Sequence, residues 1–308
     1  MSPDVRPTSR LLVQATGPLA TVQDLGRPGH AHQGVPPSGA ADRASHRLGN
    51  RLVSNSPTAA TIEITFGGLA VVLAGAGLRS VALTGAPAPL SVAGRPAALY
   101  TPVAVHPGEP VVVGTPVRGL RSYLAVAGGI EVVAELGSRS TDLLSGLGPP
   151  PLRPGDRLPL GEPGSSAAPA GADLALAGTP SGATSVRIIP GPRADRLGAG
   201  GWETLTGSTW TVSPASNRIG LRLDGPRVPT LPGELPPEGL CTGAVQVPPG
   251  GRPVVFLADH PVTGGYPVVA VVELDADLDH LGQLRPGERL RVLGAPIAPN
   301  SATSFSLG

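Results

Sequence analysis

Short apolar runs rich in β-branched residues recur along the chain, each closed by Gly or Pro, at 81–83, 111–113, 123–127, 186–189, 254–257 and 268–272. Runs of this length with frequent turn residues predict a mainly β protein built as a barrel or sandwich. A Pro-Gly-acid turn precedes a strand-like run three times, at Pro107-Gly108-Glu109, Pro154-Gly155-Asp156 and Pro286-Gly287-Glu288. Proline presets the first turn dihedral and glycine supplies the positive φ that a type II turn requires, so these are read as hairpin or barrel corners. One segment has helical spacing instead. Ala41, Ala44, Leu48 and Leu52 form a stripe at intervals of three and four, with Ser38 placed as its cap and Asp42, Arg43, Arg47 and Arg51 off the stripe. This predicts a helix near residues 38–54, with shorter helices near 193–197 and 277–281. Residues 161–182 are linker-like in composition and divide the chain into two β-rich lobes, 1–175 and 183–308.

Composition sharpens this picture in a few places. The 308 residues are 40% hydrophobic and 15% charged, a globular balance, while aromatics at 3% leave the core to Val, Leu, Ala and Ile. A formal net charge of +1 gives no footprint for nucleic acid or an anionic membrane. The chain contains no lysine, which excludes a covalent biotinyl-lysine, a Schiff base or a phosphate-loop lysine on it. Cys241 is the single cysteine; it fits a reducing cytoplasm and is expected to be a small buried residue. Residues 1–10 lack the apolar stretch of a signal peptide, and the uncharged run 64–78 is too short and glycine-broken to cross a bilayer.

No phosphate-binding loop, zinc-protease or nucleophile-elbow motif is present. His30 and His32 lack a third ligand nearby, so no metal site is expected and the histidines are read as surface or loop residues. Four polar, glycine-rich segments are harder to explain as packing. They hold Gln23, Asp24, Arg27 and Ser38; then Arg139; then Asn217 and Arg218; and finally Gln246, Asp259, Thr263, Gly264, Gly265 and Tyr266. Glycines allow close approach to a ligand, and the neighbouring side chains offer directional hydrogen bonds. The competing reading is local: Arg27 with Asp24, and Arg218 with Asp259, as ion pairs that pin loops.

Taken together, TVQDLGRPG (21–29), GVPPSGAAD (34–42), YLAVAGGI (123–130), LGSRST (136–141), SNRIGLRL (216–223), GAVQVPPGGRP and TGGYP (both within 243–267) resemble one family. It is the biotin-dependent carboxyltransferase-type family that includes allophanate hydrolase subunit 2, the regulator KipA and the C subunit of 5-oxoprolinase. Ala41 and His260-Pro261 depart from its usual residues. The resemblance implies a cyclophilin-like β-barrel in the C-terminal lobe and a companion chain, the B subunit of 5-oxoprolinase, of the KipI or allophanate hydrolase subunit 1 type. The leading expectation is a role as the C subunit of a cytoplasmic, ATP-dependent 5-oxoprolinase. With the A and B subunits it would open 5-oxoproline to glutamate, using ATP and Mg shared with the partner. Alternatives are a KipA-like regulatory module and a carboxyltransferase acting on a urea-like substrate. In the leading reading, Gln23, Asp24, Asp259 and Tyr266 are the catalytic candidates. Arg27, Ser38, Arg139, Asn217, Arg218, Gln246, Thr263, Gly264 and Gly265 are the candidates for holding substrate or phosphate, in a groove between the lobes.

Overall fold

A computed structural model of the chain describes residues 9–164, 184–233 and 235–294. The boundary between residues 175 and 183, and most of the linker expected at 161–182, lie outside the described residues. Every apolar run named above lies in or overlaps a strand, and the fold is mainly β with three short α-helices among the described residues. The uncharged run 64–78 takes part in two strands, Thr61–Thr65 and Leu69–Ala74.

In residues 9–164 two sheets face each other. One runs Arg157–Pro159, Arg10–Thr16, Leu69–Ala74, Pro110–Val113, Leu90–Val92, Arg95–Ala97; the other runs Leu19–Gln23, Thr61–Thr65, Arg121–Val126, Arg79–Gly85, Val103–Val105. Alternating inward residues, among them Leu11, Val13, Ile62, Val71, Leu83 and Leu124, close the core between them. The back of the second sheet carries helix α1 (Arg43–Leu52). There Leu48 and Leu52 meet Ala82, Ala125 and Ala127. A side chain at Gly49 would meet Thr84 Oγ1 at 3.1 Å and Ala125 Cβ at 3.2 Å, so small residues on both elements let the helix sit close.

The helix starts later than the pattern predicts. Its cap is Asp42, which accepts the Ser45 N–H at 2.8 Å, not Ser38. Its buried face is His46, Leu48, Gly49, Asn50 and Leu52, while Ala44 is exposed. Polar residues can take core positions here because His46, Asn50 and Thr61 bond one another: His46 Nδ1 lies 3.0 Å from Thr61 Oγ1, and Asn50 Nδ2 lies 3.3 Å from His46 Nε2. The histidines are therefore not all surface or loop residues, since His46 is buried on α1; His260 is in a loop but buried.

Residues 184–294 form the closed barrel that the resemblance implied, in the order Thr184–Pro190, Val268–Val272, Ala244–Gln246, Val254–Phe256, Gly220–Asp224, Thr209–Val212, Arg289–Gly294. The first and last strands in sequence close it as its parallel pair. Its core is aliphatic apart from Trp202, on the helix packed against it, and Trp210, whose indole N–H is satisfied by Leu205 O at 3.0 Å. Helix α2 (Gly201–Gly207) has no counterpart in the sequence pattern; near 193–197 only a 3₁₀ turn forms, Ala194–Arg196. Helix α3 (Asp275–Leu281) covers the predicted 277–281 segment.

Candidate functional site

The lobes meet across a buried polar network. Arg218 leaves the barrel just before the strand Gly220–Asp224 and inserts between the lobes with 1% of its surface exposed. Its Nε and Nη2 donate to Asp259 at 2.9 and 3.0 Å, Nη2 also donates to Gly39 O at 2.6 Å, and Nη1 donates to Glu63 of the N-terminal lobe. Ser38 donates to Asp259 Oδ1 at 2.7 Å. Glu63 further accepts Tyr123 Oη–H at 2.8 Å and the Ala41 N–H at 3.0 Å, and Arg121 Nε lies 3.4 Å from it. Burial by itself would raise the Glu63 carboxyl, but Arg218, Arg121 and the bonds it accepts outweigh burial and hold it below its ordinary value. Arg218 likewise keeps its proton against burial because Glu63 and Asp259 face it. A second tie runs through Gln283, which accepts the Leu120 and Arg121 N–H groups and donates to Asp42 at 2.7 Å.

Asp24 organises a different loop. Its carboxylate accepts Gly26 N–H, Ser138 Oγ–H, Ser140 Oγ–H and Arg139 N–H at 2.6–2.8 Å. It pairs with backbone and hydroxyl groups rather than with Arg27. Gln23, fully buried at the end of its strand, donates to Thr141 O at 2.9 Å and leaves Oε1 without a hydrogen-bond partner. Arg139 pairs with Glu131, and Asn217 turns back onto Ile219 and Gly220 N–H. Gln246 donates to Tyr266 O at 2.6 Å, Thr263–Gly264 pairs as a two-residue strand with Glu238–Gly239, and Tyr266 stands 46% exposed beyond Gly265.

Beside this network a pocket of about 440 Å³ opens between α1 and the barrel. Arg27, Arg43, Arg47, Cys241, His260, Asp275 and Asp279 are the chemically active residues of its wall. Of the residues singled out from the sequence, only Arg27 lines it. Ser38, Asp24, Arg218 and Asp259 are committed to internal bonds, and Tyr266 is not part of the wall. The early and late segments nonetheless meet, through Ser38–Asp259 and Arg218–Glu63.

Three features of the wall are not what the sequence suggests. Cys241 is exposed rather than buried, because it lies in a turn ahead of the strand Ala244–Gln246. Asp279, on α3, accepts the Arg43 N–H at the start of α1 at 2.7 Å; burial, with Asp42 nearby, pushes its carboxyl up to about 6. His260 is buried, its Nδ1 lies 2.8 Å from Pro261 O, and its Nε2 has no partner. Burial lowers the proton affinity of its ring. Of the three, Cys241 is marked in the sequence as its single cysteine and His260 as a departure from the family pattern. Asp279 leaves none.

The profile of the carboxyltransferase domain, subdomains A and B, matches residues 33–292. The chain belongs to the carboxyltransferase-domain family. Its relatives include the C subunit of 5-oxoprolinase from Escherichia coli, 37% identical over 283 residues that span 90% of this chain and 89% of that protein. Urea amidolyase of Lachancea kluyveri is 33% identical over 91% of this chain but only 16% of its own length. The crystal structure of the K. lactis urea amidolyase superposes with a TM-score of 0.85 at 30% identity, covering 96% of this chain and 19% of that one. Family members thus occur both as a separate subunit and as one part of a much longer enzyme. The seven-stranded barrel and the two facing sheets are the carboxyltransferase-domain architecture.

Proposed function

We propose that this carboxyltransferase-domain chain is the C subunit of an ATP-dependent 5-oxoprolinase, acting with A- and B-type subunits to open the lactam of 5-oxoproline to glutamate. One observation carries the reading: the match to a 5-oxoprolinase C subunit extends over about nine-tenths of both chains, as expected of a free-standing subunit. The pocket is consistent with it, being large enough for a small molecule and lined by guanidinium groups.

The chemistry needs help from elsewhere. A lactam is a poor electrophile, and opening it is coupled to phosphoryl transfer in this reading. This chain has no phosphate-binding loop and no lysine, and among its described residues no group of three or more His, Cys, Asp or Glu is placed to hold a metal ion. Asp279 already accepts the Arg43 N–H and is held toward its protonated form, which makes it a poor metal ligand. We therefore assign the nucleotide to the B-type partner. What this chain contributes is orientation and charge: a binding wall that excludes water and fixes the substrate carboxylate.

The test is reconstitution with the A- and B-type subunits. ATP-dependent glutamate release is expected from the three-part complex and not from this chain alone, and omitting this chain should abolish it. A complete complex that releases no glutamate would refute the reading. The family also contains urea amidolyases, so the same preparation is to be assayed for carboxylation of urea from carboxybiotin; activity there, with none on 5-oxoproline, would transfer the assignment to a carboxyltransferase.

A further inference from the structure

Arg27 and Arg218 are both 1% exposed, but their surroundings differ. Arg218 faces two carboxylates. Arg27 forms no ion pair with any carboxylate among the described residues. Its Nε donates to Glu135 O at 3.4 Å and its Nη2 to Ser140 O, while Nη1 is buried without a partner in the wall of the pocket. A buried cation held only by carbonyl dipoles carries an uncompensated charge, and an anion reaching the pocket would relieve it. Two neutral carbonyls on one side of the guanidinium also fix its plane, so that the free N–H has a set direction.

The second unpartnered atom in the same wall has the opposite character. His260 is 3% exposed, and its Nδ1 lies 2.8 Å from the Pro261 carbonyl. A carbonyl only accepts, so Nδ1 carries the proton and Nε2 keeps its lone pair. Two residues of one wall therefore each carry a buried, unpartnered atom, an N–H donor on a cation and a ring nitrogen acceptor.

We infer that the pocket between α1 and the barrel binds a small carboxylate that also carries an amide N–H, the carboxylate on Arg27 Nη1 and the N–H on His260 Nε2. This rests on the 5-oxoprolinase reading only for the choice of 5-oxoproline as the first ligand; its ring carries the carboxylate on the carbon next to the lactam N–H. The same wall carries Arg43 and Arg47, in the first half of α1, and two aspartates, Asp275 and Asp279, so with Arg27 the cations outnumber the carboxyl groups three to two.

Cys241 makes the site easy to locate. It is exposed, lines the pocket and is the single thiol of the chain, so its alkylation by a small maleimide reports occupancy at this place alone. The experiment combines calorimetric titration with Cys241 alkylation rates on the full chain. The ligands are 5-oxoproline, 2-pyrrolidinone (no carboxylate), the lactone 5-oxotetrahydrofuran-2-carboxylate (no N–H) and N-acetylglycine (an open-chain carboxylate with an N–H). The inference expects 5-oxoproline to bind and to slow alkylation by about a hundredfold at a hundred times its dissociation constant. Removing either recognition group should weaken binding roughly ten- to hundredfold, as loss of a charge-assisted or buried hydrogen bond does. Arg27→Met and His260→Phe, checked for native circular dichroism, should selectively erase the penalty for the missing carboxylate and the missing N–H respectively.

Because that selectivity is read from ligand pairs, it remains decisive even if one variant fails to fold. Equal affinity for 5-oxoproline and 2-pyrrolidinone, binding that leaves Cys241 unshielded, or no binding by any of the four would overturn the inference. Binding of N-acetylglycine with none of 5-oxoproline would keep the site and sink the lactam reading. Glutamate release by the complex with an unshielded Cys241 would do the reverse.

Discussion

His46 shows how burial sets chemistry one residue at a time. It sits under α1, bonded to Thr61 and Asn50, and burial lowers its proton affinity to a value of about 4 from an ordinary 6.5. The folded value lies below the unfolded one, so the fold favours the neutral ring. The stability this gives is complete above pH 6.5 and is lost as the pH falls towards 4. A difference of this size corresponds to on the order of 3 kcal/mol across that window. Melting curves between pH 4 and 7 should therefore flatten in His46→Gln by about that amount, even if the variant is less stable throughout. An unchanged pH slope would mean that His46 is solvated and that its network does not form. Arg27 illustrates the same principle in the proposed site, where the role assigned to it comes from the counter-ion it lacks and not from its type.

At the scale of elements, the Pro-Gly-acid corners explain why this signal was readable. In each, glycine has φ between 86° and 96°, and the acidic side chain accepts the N–H three residues back: Glu109 from His106, Asp156 from Arg153, Glu288 from Arg285, at 2.7–2.8 Å. All of the bonding is local, so sequence alone reveals it. The start of α1 departs from the pattern for the opposite reason. Ser38 is an acceptable cap by type, but its hydroxyl is taken by Asp259 of the other lobe and its backbone sits at φ 53°, leaving Asp42 to cap. The loop pinned by Asp24 offers a test at this scale. Asp24→Ala strands the Ser138 and Ser140 hydroxyls and two N–H groups, and should cost about 2–4 kcal/mol, within the range for breaking a buried hydrogen-bond network. Hydrogen exchange and proteolysis should localise the loosening to residues 135–148. A uniform loss of protection across the lobe would argue against a loop-specific role.

At the scale of the whole molecule, the two lobes have separate apolar cores. They are joined through Arg218, Glu63, Asp259 and Gln283. Replacing Arg218 by Met leaves Glu63 and Asp259 buried without their cation, a change that costs about 3–5 kcal/mol. Scanning calorimetry should show one transition in the native chain and two in Arg218→Met, with the barrel and the paired sheets melting apart. Two transitions in the native chain would mean that the network does not couple the lobes. Much of the fold was legible in the sequence because strands and corners follow from apolar runs and turn residues that act within a few positions; those runs left barrel and sandwich open, and the C-terminal barrel came from the family resemblance. The single cysteine, the absence of lysine and the ordered family motifs were legible for the same reason, as they need no partner to be recognised. The pocket was not. Glu63 and Tyr123 read as ordinary strand residues, and Asp279 as an ordinary helix residue. Their roles arise only when chain segments far apart in sequence close on one another, and the desolvation that leaves Arg27 without a counter-ion and His260 with a free lone pair is a property of that closure.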